Sequence, residues 1–332
     1  MGRYLLMRVA AMVPTLLLAS LLIFFIIELP PGDYFENYVA ELQAAGETVD
    51  PAKIEYLRRE YGFDRPLMER YVVWLTNMFH GDFGYSFEHE RPVADLIGSR
   101  LFFTMLLSFL TIIFTWAMAF PIAIYSATHK YSWGDYGLTF VGLLGLATPN
   151  FLLALVMMYL ANVFFGVSIG GLMAPEYVGQ PLSVGKVLSI AEHLIIPVIV
   201  IGTAGTAAMI RRIRANLLDE LNKQYVITAR AKGVPKFRAL VKYPLRMSLN
   251  FFVADIGNVL PAVVSGAEVI AIVLSLETTG PLLIAALKNQ DMYLAGSFLM
   301  MLAVLTVIGV LISDILLTVL DPRIRLQGRA TK

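Results

Sequence analysis

The chain has 332 residues, 58% of them hydrophobic and 15% charged, with a mean hydropathy of +0.70, which exceeds what a soluble core of this size requires and reads as an integral membrane protein. The net charge of +1 gives no electrostatic footprint for nucleic acid, and the absence of cysteine excludes a disulfide framework, a thiolate metal site and a cysteine nucleophile.

In chain order, Arg3 and Arg8 precede a run of about 20 apolar residues that is too long for a signal-peptide core and lacks a small-residue cleavage site, so it reads as a retained first span. Apolar stretches able to cross ~30 Å of hydrocarbon lie near 9–29, 101–126, 138–165, 194–211, 250–275 and 294–319. The fourth is interrupted by Pro197, Gly202 and Gly205, and prolines 14, 121, 149, 197 and 261 are expected to bend their spans. The expected fold is therefore an all-α integral membrane bundle of six transmembrane helices.

Between the first two spans, residues 30–99 carry helical patterns of their own. Asp50-Pro51 has the order of an N-cap followed by a first-turn proline, and AKIEYLRREYG runs to a glycine stop. After Arg65-Pro66, Leu67, Tyr71, Trp74, Leu75, Met78 and Phe79 recur at helical spacing, with Glu69 and Arg70 off that face. Such a helix suits either the membrane interface or a packed helical cap.

Orientation follows from the basic residues. Arg3, Arg8, Lys130, the cluster from Arg211 to Arg246, and Arg323, Arg325, Arg329 and Lys332 fall on one side, whereas the short loops opposite hold only Lys186 and Lys288. The positive-inside rule puts both termini and the 211–249 loop in the cytoplasm and the 30–99 segment outside. The organisation reads as a first span (1–29), an extracytoplasmic helical segment (30–99), a five-helix core (100–320) containing the 211–249 loop, and a cytoplasmic tail (321–332).

Catalytic and metal patterns fail on inspection. GQPLSVGKV (179–187) spaces its glycines wrongly for a P-loop and has Val187 where Mg²⁺ would need a hydroxyl. His89-Glu90 lacks the second zincin histidine, since position 93 is Val, and histidines 80, 89, 129 and 193 are scattered over different segments. The expectation is a chain with no catalytic site, metal or cofactor of its own. Asp255, Glu268 and Asp314 lie inside apolar runs, where an ionisable group costs roughly 2.5–3.5 kcal/mol on insertion scales, so Asp255 and Glu268 become candidates for lining a polar pathway or for hydrogen bonding between helices.

The 211–249 loop reads as two short helices. RRIRANLLDELNKQYVITARAK has apolar residues at helical spacing and no Pro or Gly; Gly233 ends it, and Pro235 opens KFRALVKYPL. Arg230, Lys232, Lys236, Arg238 and Lys242 would anchor the segment to anionic lipid. Anchoring does not require the Ala229-x-Ala231-x-Gly233 spacing or the Gly-Val-Pro break, both of which suit the close approach of a protein partner.

YVITARAKGVPKFRALVKYPLRMSL resembles the cytoplasmic "EAA" loop of ABC importer permeases, in the version carried by the dipeptide/oligopeptide branch. Ile227, Thr228 and Ala229 stand at the triplet and Gly233 at the loop glycine; the triplet Glu is missing, and Leu245-Arg246 replaces a common Leu-Pro. RYLLMRVAAMVPTLLLASLLIFFIIELPPGD, YGFDRPLMERYVVWLTNMFHGDFGYSF and LDPRIR are similar to the first span, outer-loop signature and C-terminal close of the B-type permease subunit. The added stretch YFENYVAELQAAGETVD and the sequence LSLETTGPLL depart from the usual pattern.

The resemblance implies a type I ABC importer-like permease with an extracytoplasmic helical cap between spans 1 and 2, in a bacterial inner membrane. Implied partners are a second homologous permease, two cytoplasmic ATPases that bind ATP and Mg, and an extracytoplasmic solute-binding protein. Thr228, Ala229, Arg230, Ala231, Lys232, Gly233, Val234 and Pro235 would form the element that couples to the ATPases. Di- or oligopeptides are the first substrate expectation, with oligosaccharides or opine-like sugar conjugates next. A proton-coupled secondary transporter using Asp255 and Glu268 is the rival from another class, though it has no use for a docking loop.

Overall fold

The computed structural model describes residues 2–32, 34–44, 50–167, 170–250, 252–253 and 268–320. They are almost entirely helical, with one two-stranded hairpin among them. The long apolar helices are α1 (Gly2–Glu28), α5 (Val93–Thr128), α8 (Val184–Leu221) and α13 (Met292–Leu320). Four helices among the described residues are long and apolar enough to span a membrane, or five if a bent pair counts as one span.

That pair is α6 (Trp133–Ala147) and α7 (Asn150–Phe165), which meet at 101°. The stretch expected as one span over 138–165 is thus broken, and the cause is local. The ring of Pro149 disfavours helical backbone at the residue before it, Thr148 adopts extended geometry with ψ 125°, and Pro149 itself sits at the start of α7. Pro14, Pro121 and Pro197, by contrast, lie within unbroken helices. The expected 250–275 span, with Pro261 and Asp255, falls largely outside the described residues.

The chain divides into two compact units. The first comprises residues 1–5, 103–277 and 308–332; the second, residues 6–102 and 278–307. In the first unit, Leu107 of α5, Ala154 and Ala161 of α7, Leu194, Ile196 and Val200 of α8, and Ile270, Ala271 and Leu274 around α11 (Glu268–Val273) form one buried cluster. Gly202, which the sequence suggests as an interruption, is instead a close-approach point within continuous α8: a Cβ there would lie 2.5 Å from Phe114 of α5, and Thr115 Oγ1 donates to the Gly202 carbonyl at 3.4 Å. Small residues of this kind let helix backbones approach where lipid offers no hydrophobic drive.

The second unit holds α2 (Tyr34–Ala44), α3 (Pro51–Glu60), α4 (Leu67–Phe79), strands β1 (Tyr85–Ser86) and β2 (Arg91–Pro92), and α12 (Thr279–Lys288). Asp50 caps α3 by accepting from the Ala52 amide at 2.9 Å. Trp74 of α4 is buried against Phe24 of α1 and Met292 of α13, with Tyr71, Leu75 and Met78 packed beside it. Phe87, just past β1, meets Tyr34, Phe35, Tyr61, Phe63, Tyr85 and Tyr293 through ring contacts of 4.6–6.4 Å.

Of the expected apolar face of α4, Tyr71, Trp74, Leu75 and Met78 pack inward, whereas Leu67 and Phe79 are exposed. Arg70, off the apolar face as its spacing gives, is nonetheless largely buried. It makes a two-pronged pair with Glu28 of α1 at 2.6 and 2.9 Å, and its guanidinium lies 4.7 Å from the centre of the Phe63 ring.

Candidate functional site

The basic loop begins on α8, whose 38 residues extend about 57 Å at 1.5 Å per residue, nearly twice a hydrocarbon core. The helix thus continues well past the expected span, and its last turns form the floor of the loop. A short break at Asn222-Lys223 separates it from α9 (Gln224–Ala231); Lys223 is extended, with ψ 149°. Residues 211–232 are therefore not one helix, although no proline or glycine marks the break.

The end of α9 is the sharpest feature of the region. Gly233 takes φ +81°, its amide donates to the Arg230 carbonyl at 3.0 Å, and the Val234 amide reaches the Ala229 carbonyl at 3.2 Å. This pair of bonds is a Schellman closure, which requires a left-handed residue and so favours glycine. Pro235 then precedes α10 (Lys236–Leu240), and a π-helical turn follows over Val241–Leu245. Pro244 lies inside that turn; a proline has no N–H to give a helix and its ring crowds the preceding turn, and a widened backbone accommodates both defects.

Attachment to the bundle is apolar. Leu240 of α10 packs with Leu217 of α8 and Ala127 of α5, with Ile124, Leu218 and Leu221 around them. Val226 and Ala229 are buried on the inner side of α9. Thr228, Arg230, Ala231, Lys232, Gly233 and Pro235 are exposed, and Val234 is half-buried. A Cβ on Gly233 would meet nothing within 4 Å, so its outer side is open.

Of the small residues expected to admit a partner, Ala231 and Gly233 face outward, and Ala229 belongs to the loop's own packing. Two large apolar residues also point outward: Ile227 of the triplet, half exposed, and Phe237, 76% exposed, which the sequence pattern did not single out. Both stand amid exposed cations on a helix–turn–helix, and the alternation of Phe237 with basic neighbours was the available clue. Tyr225 donates its hydroxyl to Glu220; burial, then that carboxylate, push its ionisation up.

Near the base of the loop lies an ion pair between a buried acid and a partly exposed arginine. Arg214 of α8 grips Asp135 at the start of α6 through Nε and Nη2, at 3.1 and 2.7 Å, and the Tyr131 amide adds a third hydrogen bond at 3.0 Å. Asp135 is 2% exposed, so its charge depends on these partners. The pair couples the loop's supporting helix to α6, and neither residue belongs to an apolar run that would draw attention in the sequence.

Among the other expected residues, Asp255 lies outside the described ones, and of Glu268 only the backbone is described, at the start of α11. Asp314 lies on α13 next to Ser313, whose hydroxyl donates to the Val253 carbonyl. In the 179–187 stretch, Ser183 caps α8 through the Lys186 amide and the Lys186 ammonium donates to the Gln180 carbonyl at 2.6 Å. No cluster of three or more metal-ligating side chains occurs among the described residues.

Comparison with known proteins agrees along the chain. Residues 119–326 match the family described as binding-protein-dependent transport system inner membrane component, and residues 1–108 match its N-terminal membrane component. The chain is 33% identical over 328 residues to the oligopeptide transport system permease protein AppB of Bacillus subtilis (strain 168), covering 98% of this chain and 99% of that one. It is equally similar, at 33% and the same coverage, to a putative peptide permease protein of Brucella ovis. At 27% over 363 residues it also resembles the peptidoglycan transport system permease protein YejB of Agrobacterium fabrum, covering 99% of this chain and 100% of that one.

Proposed function

Since the chain belongs to the family of binding-protein-dependent transport system inner membrane components, a multi-pass permease of the inner membrane, we propose that it imports di- or oligopeptides. In this reading it forms the pathway with a second, homologous permease and is driven by two cytoplasmic ATPases, which bind ATP and Mg. An extracytoplasmic solute-binding protein delivers the substrate, and this chain performs no catalysis itself. Both termini and the 211–249 loop are cytoplasmic, and the 30–99 segment is extracytoplasmic, on the side from which the binding protein docks. The peptide assignment is supported by the names of the relatives from Bacillus and Brucella. The peptidoglycan name of the Agrobacterium relative favours a second reading, in which the cargo carries sugar as well as peptide.

The observation that carries the coupling role is the exposed turn at Gly233, with open space on its outer side, standing on a buried apolar base. ATPase closure would push on this turn, and the base would pass the displacement to α8 and α5. Asp255 and Glu268 remain the candidate pathway acids.

The test is substrate-stimulated ATP hydrolysis in the reconstituted complex. Gly233→Trp should abolish stimulation while nucleotide binding by the ATPases persists, because a large side chain would stand where the partner must seat. Gly233→Asn, which tolerates left-handed backbone, should retain most of it. Stimulation undiminished in Gly233→Trp would show that the segment serves as a lipid anchor and that the coupling assignment is wrong.

A further inference from the structure

A groove of about 320 Å³ runs between α6 and α8, at the end of the bundle where Asp135 meets Arg214. Its mouth is polar: Tyr131, Tyr136 and Arg211 line it, and the Lys130 ammonium lies 4.5 Å from the centre of the Tyr131 ring. Further along α6 its walls are apolar, formed by the half-exposed Leu143 and Leu146 and by the buried Ile210 of α8. Gly142 lines the same walls, and a Cβ there would meet nothing within 4 Å, so this glycine leaves the groove wide along α6.

Charge at the mouth is unbalanced. The single carboxylate in the lining, Asp135, is satisfied by its two-pronged pair with Arg214. Arg211 and Lys130 are exposed at the same end and add two positive charges with no acid among the lining residues to offset them. Around this mouth the surface has the composition of a headgroup zone: Trp133 is 93% exposed, with Tyr131 and Tyr136 largely so. Aromatic side chains with polar tips concentrate at that depth of a bilayer. Below it, exposed Phe140, Val141 and Leu144 continue along α6 as a surface suited to hydrocarbon.

We propose that this groove is a binding site for an anionic phospholipid, whose phosphate sits between Arg211, Lys130 and the tyrosine hydroxyls and whose acyl chain lies along Leu143, Leu146 and Gly142. A zwitterionic lipid would fill the apolar part equally well but would gain less at the mouth. The lipid would brace α6 against α8 beside the Asp135–Arg214 pair, on the helix that supports the basic loop.

The experiment uses the full chain with the subunits that co-purify, stripped in non-ionic detergent and then supplied with phosphatidylglycerol or phosphatidylcholine of matched acyl chains. Retained lipid is counted by native mass spectrometry. Phosphatidylglycerol should be retained over phosphatidylcholine, by roughly fivefold for each well-placed base. Arg211→Gln should reduce that preference by about the same factor; Arg211→Lys should keep it; Gly142→Leu should displace both lipids. Equal retention of the two lipids, or an unchanged preference in Arg211→Gln, overturns the proposal. If wild type retains neither and Gly142→Leu costs a co-purifying subunit, the groove is a protein interface and the lipid site does not exist.

Discussion

The basic loop at 222–245 and the helical segment at 34–92 both lie outside the long apolar helices, yet they spend their side chains in opposite ways. In the loop, a few apolar residues (Val226, Ala229, Leu240) face inward, and the cations, Ile227 and Phe237 are left outside. In the other segment, rings converge on Phe87, Arg70 is held by Glu28, and Asp291 is buried beneath the hairpin, accepting from the Ser86 hydroxyl at 2.6 Å. In the helical segment the side chains largely satisfy one another, whereas in the loop the outward residues are those proposed to meet the ATPases.

That contrast is broken most directly at its most crowded point. Phe87→Ala should destabilise the second unit by about 3–5 kcal/mol, the usual cost of deleting a buried ring, read as early proteolysis between α2 and β2. Survival of the segment would mean that the ring cluster is not its core.

Next in size is the ion pair under the loop. Arg214→Met leaves Asp135 buried without its main partner and should cost about 3 kcal/mol, whereas Arg214→Met with Asp135→Leu should recover most of the loss, because removing both charges also removes the burden of burying them. Thermal unfolding of the two variants in one detergent compares them; a double variant no better than the single would show that the pair positions α6 in a way hydrophobic packing cannot replace.

A smaller effect concerns pH. Burial pushes the Asp291 carboxyl above the ordinary carboxylate range, outweighing the hydrogen bonds from Ser86 and Leu294. A group whose folded pKa is raised binds its proton more tightly when folded, so its contribution falls as pH climbs from about 4, the unfolded value, toward the folded one. The melting temperature of Asp291→Asn relative to wild type should therefore rise across that window. A difference that stays constant from pH 4 to 7 would mean that the carboxylate is ionised in the folded protein.

The smallest effect on stability is expected in the loop itself. Phe237→Ala removes a largely exposed ring and should change stability by no more than about 0.5 kcal/mol, while lowering substrate-stimulated ATP hydrolysis. A large stability loss there would place Phe237 in the chain's own core and erase the difference between the regions.

Much of this was legible along the chain. Apolar length gave the long helices, Asp50-Pro51 gave the start of α3, and Gly233 with Pro235 gave the turn, because each depends on residues adjacent in sequence. The break at Asn222-Lys223 was hidden, since no residue there forbids a helix. The outer-loop signature was recognisable as a pattern, but its sense was not: Arg70, Trp74 and Phe87 are held by Glu28, Phe24 and Tyr293, partners far away in the chain.

By itself, the sequence determined a helical membrane protein with a basic, glycine-closed element between apolar runs, because hydropathy, charge and backbone conformation act over a few residues. Only the tertiary structure decided which face of that element is free. Whether Ala229 or Phe237 points outward, and whether Asp135 is a surface acid or a buried one held by an arginine, depends on what α5, α6 and α8 bring alongside. Those contacts join residues dozens of positions apart, and no local preference encodes them.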